Sequence, residues 1–252
     1  MYRPNREISL SEIRNALLEY ASTIDPTDLF PTVVPEAAKL ATSDPYAFLI
    51  ACCLDRGARA EVIWTIPYDI QNYLGHLNPF RIHKISLDEL AEIFAHLPRK
   101  PRYVNDAPRT LKELTRIVVE ECNGDASKIW VGKRSVEVNR TMQSIPGVGP
   151  GIACMTVLLI EKAFPVRFND LDHTQMNIKP DTHTTKVLFR LGVAQVESTK
   201  DAIEAARIIS PEFPGAIDGA LWVIGRKYCH PTNPECDICP LTCVCKKRIN
   251  GQ

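Results

Sequence analysis

No stretch of this 252-residue chain approaches the roughly 18 consecutive apolar residues that cross a bilayer. A membrane partner is therefore not expected. The opening residues, Met1-Tyr2-Arg3-Pro4-Asn5-Arg6-Glu7, lack the apolar stretch of an export signal, which predicts a cytoplasmic, intracellular location. An excess of one charge is also missing, since 30 basic residues balance 30 acidic ones. Taken alone, that balance counts against nucleic acid as a partner, although a two-lobed protein can segregate its charges. Sustained two-residue alternation is absent, so strands should be few. Internal repeats, low-complexity tracts and long linkers are absent too. The nine cysteines are an odd number without an export signal, which argues against a disulfide framework. Cys52, Cys53, Cys122 and Cys154 lie among apolar neighbours and read as small buried hydrophobes.

What is present is a helical pattern. Ser9-Leu10-Ser11-Glu12 is a capping box that opens an amphipathic run through Ile13 and Leu17. Asp44-Pro45 starts another helix, with Phe48, Leu49 and Cys52 turned inward. Ser86-Leu87-Asp88-Glu89 is a second capping box, followed by Leu90, Ile93, Phe94 and Leu97. Leu111, Leu114, Ile117 and Val118 mark a further apolar stripe, and 152–164 reads as a strongly apolar, central helix.

Three segments carry candidate chemistry. Cys229, Cys236, Cys239 and Cys245 form a C-x6-C-x2-C-x5-C run stiffened by Pro231, Pro234 and Pro240. Four thiolates so close together can enclose an iron–sulfur cluster or a zinc ion. The run Ile145-Pro146-Gly147-Val148-Gly149-Pro150-Gly151 joins two helices. Its glycines permit positive φ, and unpaired N–H groups at the next helix start can grip a phosphate. A tight turn that merely packs two helices is the other reading. In Lys179-Pro180-Asp181-Thr182-His183, Asp181 reads as the N-cap of a helix. A carboxylate there can also stabilise a developing cation.

These three segments, in this order, resemble the endonuclease III branch of the helix–hairpin–helix DNA glycosylases. The resemblance spans roughly 45–248 and rests on 145–149, on Asp181-Thr182-His183 and on the cysteine spacing. It implies an all-α fold of two helical lobes with a DNA-binding cleft between them. The six-helix lobe with the hairpin would span 33–165, and a discontinuous cluster lobe would combine 1–32 with 166–252. It implies a [4Fe–4S] cluster on Cys229, Cys236, Cys239 and Cys245, with Cys243 a bystander. It implies DNA contact at Gly147, Val148, Gly149 and Gly151, and Asp181 as the catalytic carboxylate. The partner would be double-stranded DNA with a damaged or mispaired base, engaged by a monomer. The implied activity is hydrolysis of an N-glycosidic bond in base-excision repair, after the base is flipped out.

The chain also departs from that family. Relatives that cleave the DNA strand carry a lysine where Gly151 stands, which implies a monofunctional enzyme. Lys162 lies roughly 16 Å further along the helix at 1.5 Å per residue. An AP lyase using Lys179 or Lys186, and a non-catalytic iron–sulfur DNA-binding protein, are the alternatives. Cys52 aligns where a polar residue often enters the DNA stack, and Arg102-Tyr103-Val104-Asn105, the best match to the wedge loop, is unlike the usual apolar wedge. The stretch 169–179 reads as an inserted solvated loop that could line a base pocket; its Asp170, Asp172 and His173 leave a metal site open. Trp64, Trp130 and Trp222 read as core residues, with base stacking an alternative for Trp130.

Overall fold

The computed structural model describes residues 8–170 and 172–249. The segment 1–7 on which the location was read, residue 171 of the inserted stretch and residues 250–252 lie outside them. The described residues are all-α, with no strand among them and no helix long and apolar enough to cross a membrane. In chain order the helices begin with α1 (Leu10–Thr23), α2 (Pro26–Leu29), α3 (Pro35–Ser43), α4 (Pro45–Leu54) and α5 (Ala60–Ile63). There follow α6 (Ile66–Leu74), α7 (Pro79–His83), α8 (Leu87–His96), α9 (Ala107–Arg116) and α10 (Ser135–Ser144). The last are α11 (Pro150–Ala163), α12 (Thr182–Leu191), α13 (Thr199–Ile209) and α14 (Asp218–Lys227). The chain divides into two compact units, Pro26–Leu171 and the joined segments Met1–Asp25 and Asp172–Gln252.

The continuous unit is built around α4. Asp44 caps it by accepting from the Tyr46 and Ala47 N–H groups at 2.8 and 3.1 Å. Every residue from Tyr46 to Leu54 is buried, as suits a helix apolar on all faces. Phe48 meets Phe30, Trp64, Trp130 and Phe164 in edge or tilted contacts with centroids 5.2–6.4 Å apart. Trp130 is thus core, only 2% exposed, and is not available to stack on a base. Leu90, Ile93 and Phe94 of α8 and Leu111 and Leu114 of α9 are buried as their spacing requires.

The discontinuous unit buries Ile13 and Leu17 of α1 against apolar residues of α12, α13 and α14. Gly225 is needed where α14 meets α12, because a Cβ there would stand 2.6 Å from the Cβ of His183. Trp222 differs from the expected core role. It is only partly buried, and Arg226 lies over its ring with the guanidinium carbon 4.5 Å from the centroid.

The 169–179 stretch is exposed at 169–170 and 172–175, as a solvated loop should be, but it is tied down at its far end. Met176 and Ile178 are buried, and the Met176 carbonyl accepts from Gly215 N at 2.6 Å. His173 stacks on Phe213 at 4.3 Å, Asp172 caps its own turn, and Asp170 accepts from Ser135 N at 2.9 Å. Its polar side chains therefore have separate partners. No group of three or more metal-ligating side chains converges there or elsewhere among the described residues to hold a single ion.

Candidate functional site

The hairpin lies wholly in the continuous unit, between α10 and α11. Ile145 and Val148 are buried and anchor the turn from below. The Val148 N–H is spent on the Ile145 carbonyl at 3.0 Å, so Val148 holds the turn and offers no donor. Gly147 has φ +86°, a region costly for residues with a Cβ. Gly149 is the N-cap of α11 and has no side chain to cap it. The first-turn N–H groups at Gly151 and Ile152 therefore remain uncapped and carry the positive end of a 14-residue helix. Thr110 Oγ1 of α9 donates to the Pro146 carbonyl at 2.7 Å. In a trans peptide the following N–H points the opposite way, so this bond fixes the direction of the Gly147 amide.

Arg56 completes this region, and sequence reasoning missed it. Its Nη1 donates to the Gly147 carbonyl at 3.2 Å across 91 residues of chain. No local pattern signals a contact of that span. Cys52, matched to a DNA-intercalating position, is instead fully buried inside α4. The residues of that segment that reach the surface are Arg56 and Gly57, one helical turn further on.

Asp181 belongs to the discontinuous unit and caps α12. Its Oδ1 accepts from the His183 and Thr184 N–H groups at 2.8 and 2.9 Å. Thr184 Oγ1 accepts from the Asp181 N–H at 2.9 Å, closing a capping box. Oδ2 receives no hydrogen bond among the described residues. The carboxylate is half-buried, held in one orientation by its own helix through one oxygen, with the other oxygen unspent. Nearby Lys186 is buried, its ammonium 3.5 Å from the Gly225 carbonyl, and burial lowers its pKa.

The four cysteines meet around one hollow, which Arg190 and Leu241 also line. Nitrogen donors point at two of the sulfurs. Arg190 Nη1 stands 3.5 Å from Cys229 Sγ, and the Lys247 N–H donates to Cys245 Sγ at 3.3 Å. The Cys245 thiol in turn donates to the Arg190 carbonyl at 3.3 Å. Burial raises the pKa of Cys239 and pushes Cys245 up to about 11. Without a cation these thiols stay protonated, and a metal centre would supply the charge that favours thiolates. Cys243 is exposed and lies outside the set. None of the nine cysteines, all of them among the described residues, forms a disulfide.

No protein-family model matches the chain. It is similar to Endonuclease III of Thermotoga maritima, at 25% identity over 205 residues, covering 81% of this chain and 84% of that one. Its fold is similar to an endonuclease III held in a covalent intermediate with DNA, with a TM-score of 0.63 and 20% identity over 96% of this chain and 97% of the other. An endonuclease III in a non-covalent DNA complex gives 0.62 and 21%, with the same coverage. A thermostable thymine-DNA glycosylase gives 0.60 and 20%, over 94% and 95%. The architecture is the endonuclease III helical fold, and the sequence resemblance to the endonuclease III-like superfamily is borne out.

Proposed function

We propose that this protein is a DNA N-glycosylase of base-excision repair, acting on double-stranded DNA that holds a damaged or mispaired base. In this reading the hairpin lobe spans 33–165 and the cluster lobe comprises 1–32 and 166–252. The observation that carries it is the divided duty of Asp181: Oδ1 is fixed by two amides, while Oδ2 is unspent. An ionised carboxylate so held can stabilise the oxocarbenium-like sugar and take a proton from the attacking water. The amides of Gly147, Gly149 and Gly151 would hold a phosphate without basic side chains, which suits a chain of zero net charge. The curated relative and the solved neighbours, named as endonuclease III and a thymine-DNA glycosylase, support the same activity.

The enzyme is monofunctional in this proposal. Gly151 stands in the first turn of α11, and Lys162 in the last turn of the same unbroken helix. Of Lys179 and Lys186, the two candidates for a lyase role, Lys186 is the one whose burial favours its neutral, nucleophilic form. Its 5% exposure argues against attack on a sugar.

Cys229, Cys236, Cys239 and Cys245 would hold a [4Fe–4S] cluster. Soft sulfur donors around one hollow suit it. When bound, the cluster supplies a structural cross-link and a one-electron couple.

Asp181→Asn tests the reading on duplexes carrying a panel of damaged and mismatched bases. Asparagine caps a helix as well as aspartate, so the fold is kept. The expected result is base release by the wild type and a loss of about 100-fold or more in the variant. Borohydride added to the same reactions should trap no covalent adduct. Duplex binding without base release by either protein would establish a non-catalytic binder.

A further inference from the structure

Three segments of the continuous unit pack together beside the hairpin: 55–58 after α4, 102–105 before α9, and 145–149. Gly57 has φ +67°, and a Cβ there would stand 2.8 Å from Arg102 Cδ and 3.2 Å from Tyr103 Cε2. The first two segments are therefore in direct contact. The Arg56 guanidinium lies over the Tyr103 ring, 5.0 Å from its centroid, while Nη1 holds the Gly147 carbonyl. A Cβ on Gly147 would collide with that guanidinium. Positive φ favours glycine at this position, and a larger side chain would push the guanidinium off the turn.

The chemistry of Arg56 is not that of a free phosphate ligand. One face is stacked, Nη1 is spent, and Nη2 is buried with no hydrogen-bond partner. A basic side chain serving only to attract phosphate would extend into water with its donors open. Arg56 instead gives up a donor to keep its place between ring and turn. Tyr103 meanwhile is 46% exposed, a large aromatic surface beside uncapped amides.

We propose that Arg56 is a positioning residue that locks the exposed Tyr103 ring to the hairpin turn, so that ring and turn meet DNA as one rigid edge. The turn takes the phosphate, and the ring packs on the adjoining nucleotide. This rests on the DNA reading above. Thr110 fixes the Pro146–Gly147 peptide, and Arg56 fixes the next one through the Gly147 carbonyl. Both planes of the turn are thus set by side chains from other segments. Lysine cannot replace arginine here, because an ammonium lacks the flat face and the fork that engage ring and carbonyl together.

The experiment compares full-length wild type, Arg56→Lys, Tyr103→Leu and the double variant. Amide hydrogen exchange of the free protein reads the lock itself. Anisotropy with an undamaged duplex, and with one carrying a tetrahydrofuran abasic-site analogue, reads its use. Arg56→Lys keeps the charge, yet exchange at 147–149 should quicken. Its affinity for the abasic-analogue duplex should fall by about tenfold, a change of about 1.4 kcal/mol. Tyr103→Leu should lose a similar factor, and the double variant little more than either single one, as coupled residues do. Wild-type exchange and affinity in Arg56→Lys would overturn the proposal, and so would losses that multiply in the double variant. If exchange quickens in Arg56→Lys but no protein, wild type included, binds either duplex, the lock is real and the DNA reading falls. The DNA-edge role then falls with it.

Discussion

At the scale of single residues, Asp69 on α6 is a buried carboxylate, 3% exposed. Arg99 answers it with two donors: Nε reaches Oδ2 at 2.8 Å, and Nη2 reaches Oδ1. That bond raises the Arg99 pKa. Arg99→Met keeps the aliphatic stem but strands the carboxylate in the interior. Unfolding free energy should fall by about 3–5 kcal/mol, read by chemical denaturation. A fall within experimental error would mean that water reaches Asp69. Neither this pair nor Arg56–Gly147 is legible in the sequence, since partners 30 and 91 residues apart leave no periodic or local trace. The opposite holds for Asp181. Its cap follows from the residue itself, because a short carboxylate ahead of a helix bonds the next amides wherever the chain later folds.

Elements were legible where their ends carry their own chemistry. Ser9 and Ser86 close the capping boxes that their S-x-x-E patterns predict, with Ser86 Oγ accepting from Glu89 N at 3.2 Å. Ser86→Ala should cost about 1 kcal/mol, seen as a lower denaturation midpoint with an unchanged slope. The apolar stripes of α8 and α9 were equally plain. Among the helices that escaped, α2, α5 and α7, of four or five residues each, are too short to show a helical period. The π turn Ile117–Glu121 that continues α9 also left no signal. Trp222 was misjudged for a related reason. Composition marks tryptophan as core, but its place on α14 leaves one side to pair with Arg226.

At the scale of the whole molecule, zero net charge is a weak guide to a nucleic-acid partner. The hairpin offers main-chain dipoles, which a count of side-chain charges cannot register. The cysteine run was the most conspicuous feature, because four thiols compressed into 17 residues come to line one hollow with little help from the rest of the fold. Removing the proposed metal centre should act unevenly. Exchange protection should fall across 229–249 and the α12–α14 core, while the Pro26–Leu171 unit keeps its protection. Equal loss in both units would show that they unfold as one.

The joined segments Met1–Asp25 and Asp172–Gln252 form one compact unit, and the uninterrupted Pro26–Leu171 forms the other. Helix α1 is made before the intervening unit, yet its apolar stripe, Ile13 and Leu17, fits against helices that are made after it. During synthesis that stripe must wait, uncovered, while the intervening unit emerges and folds. A nascent chain halted before α12 therefore exposes a greasy amphipathic segment that chaperones can recognise.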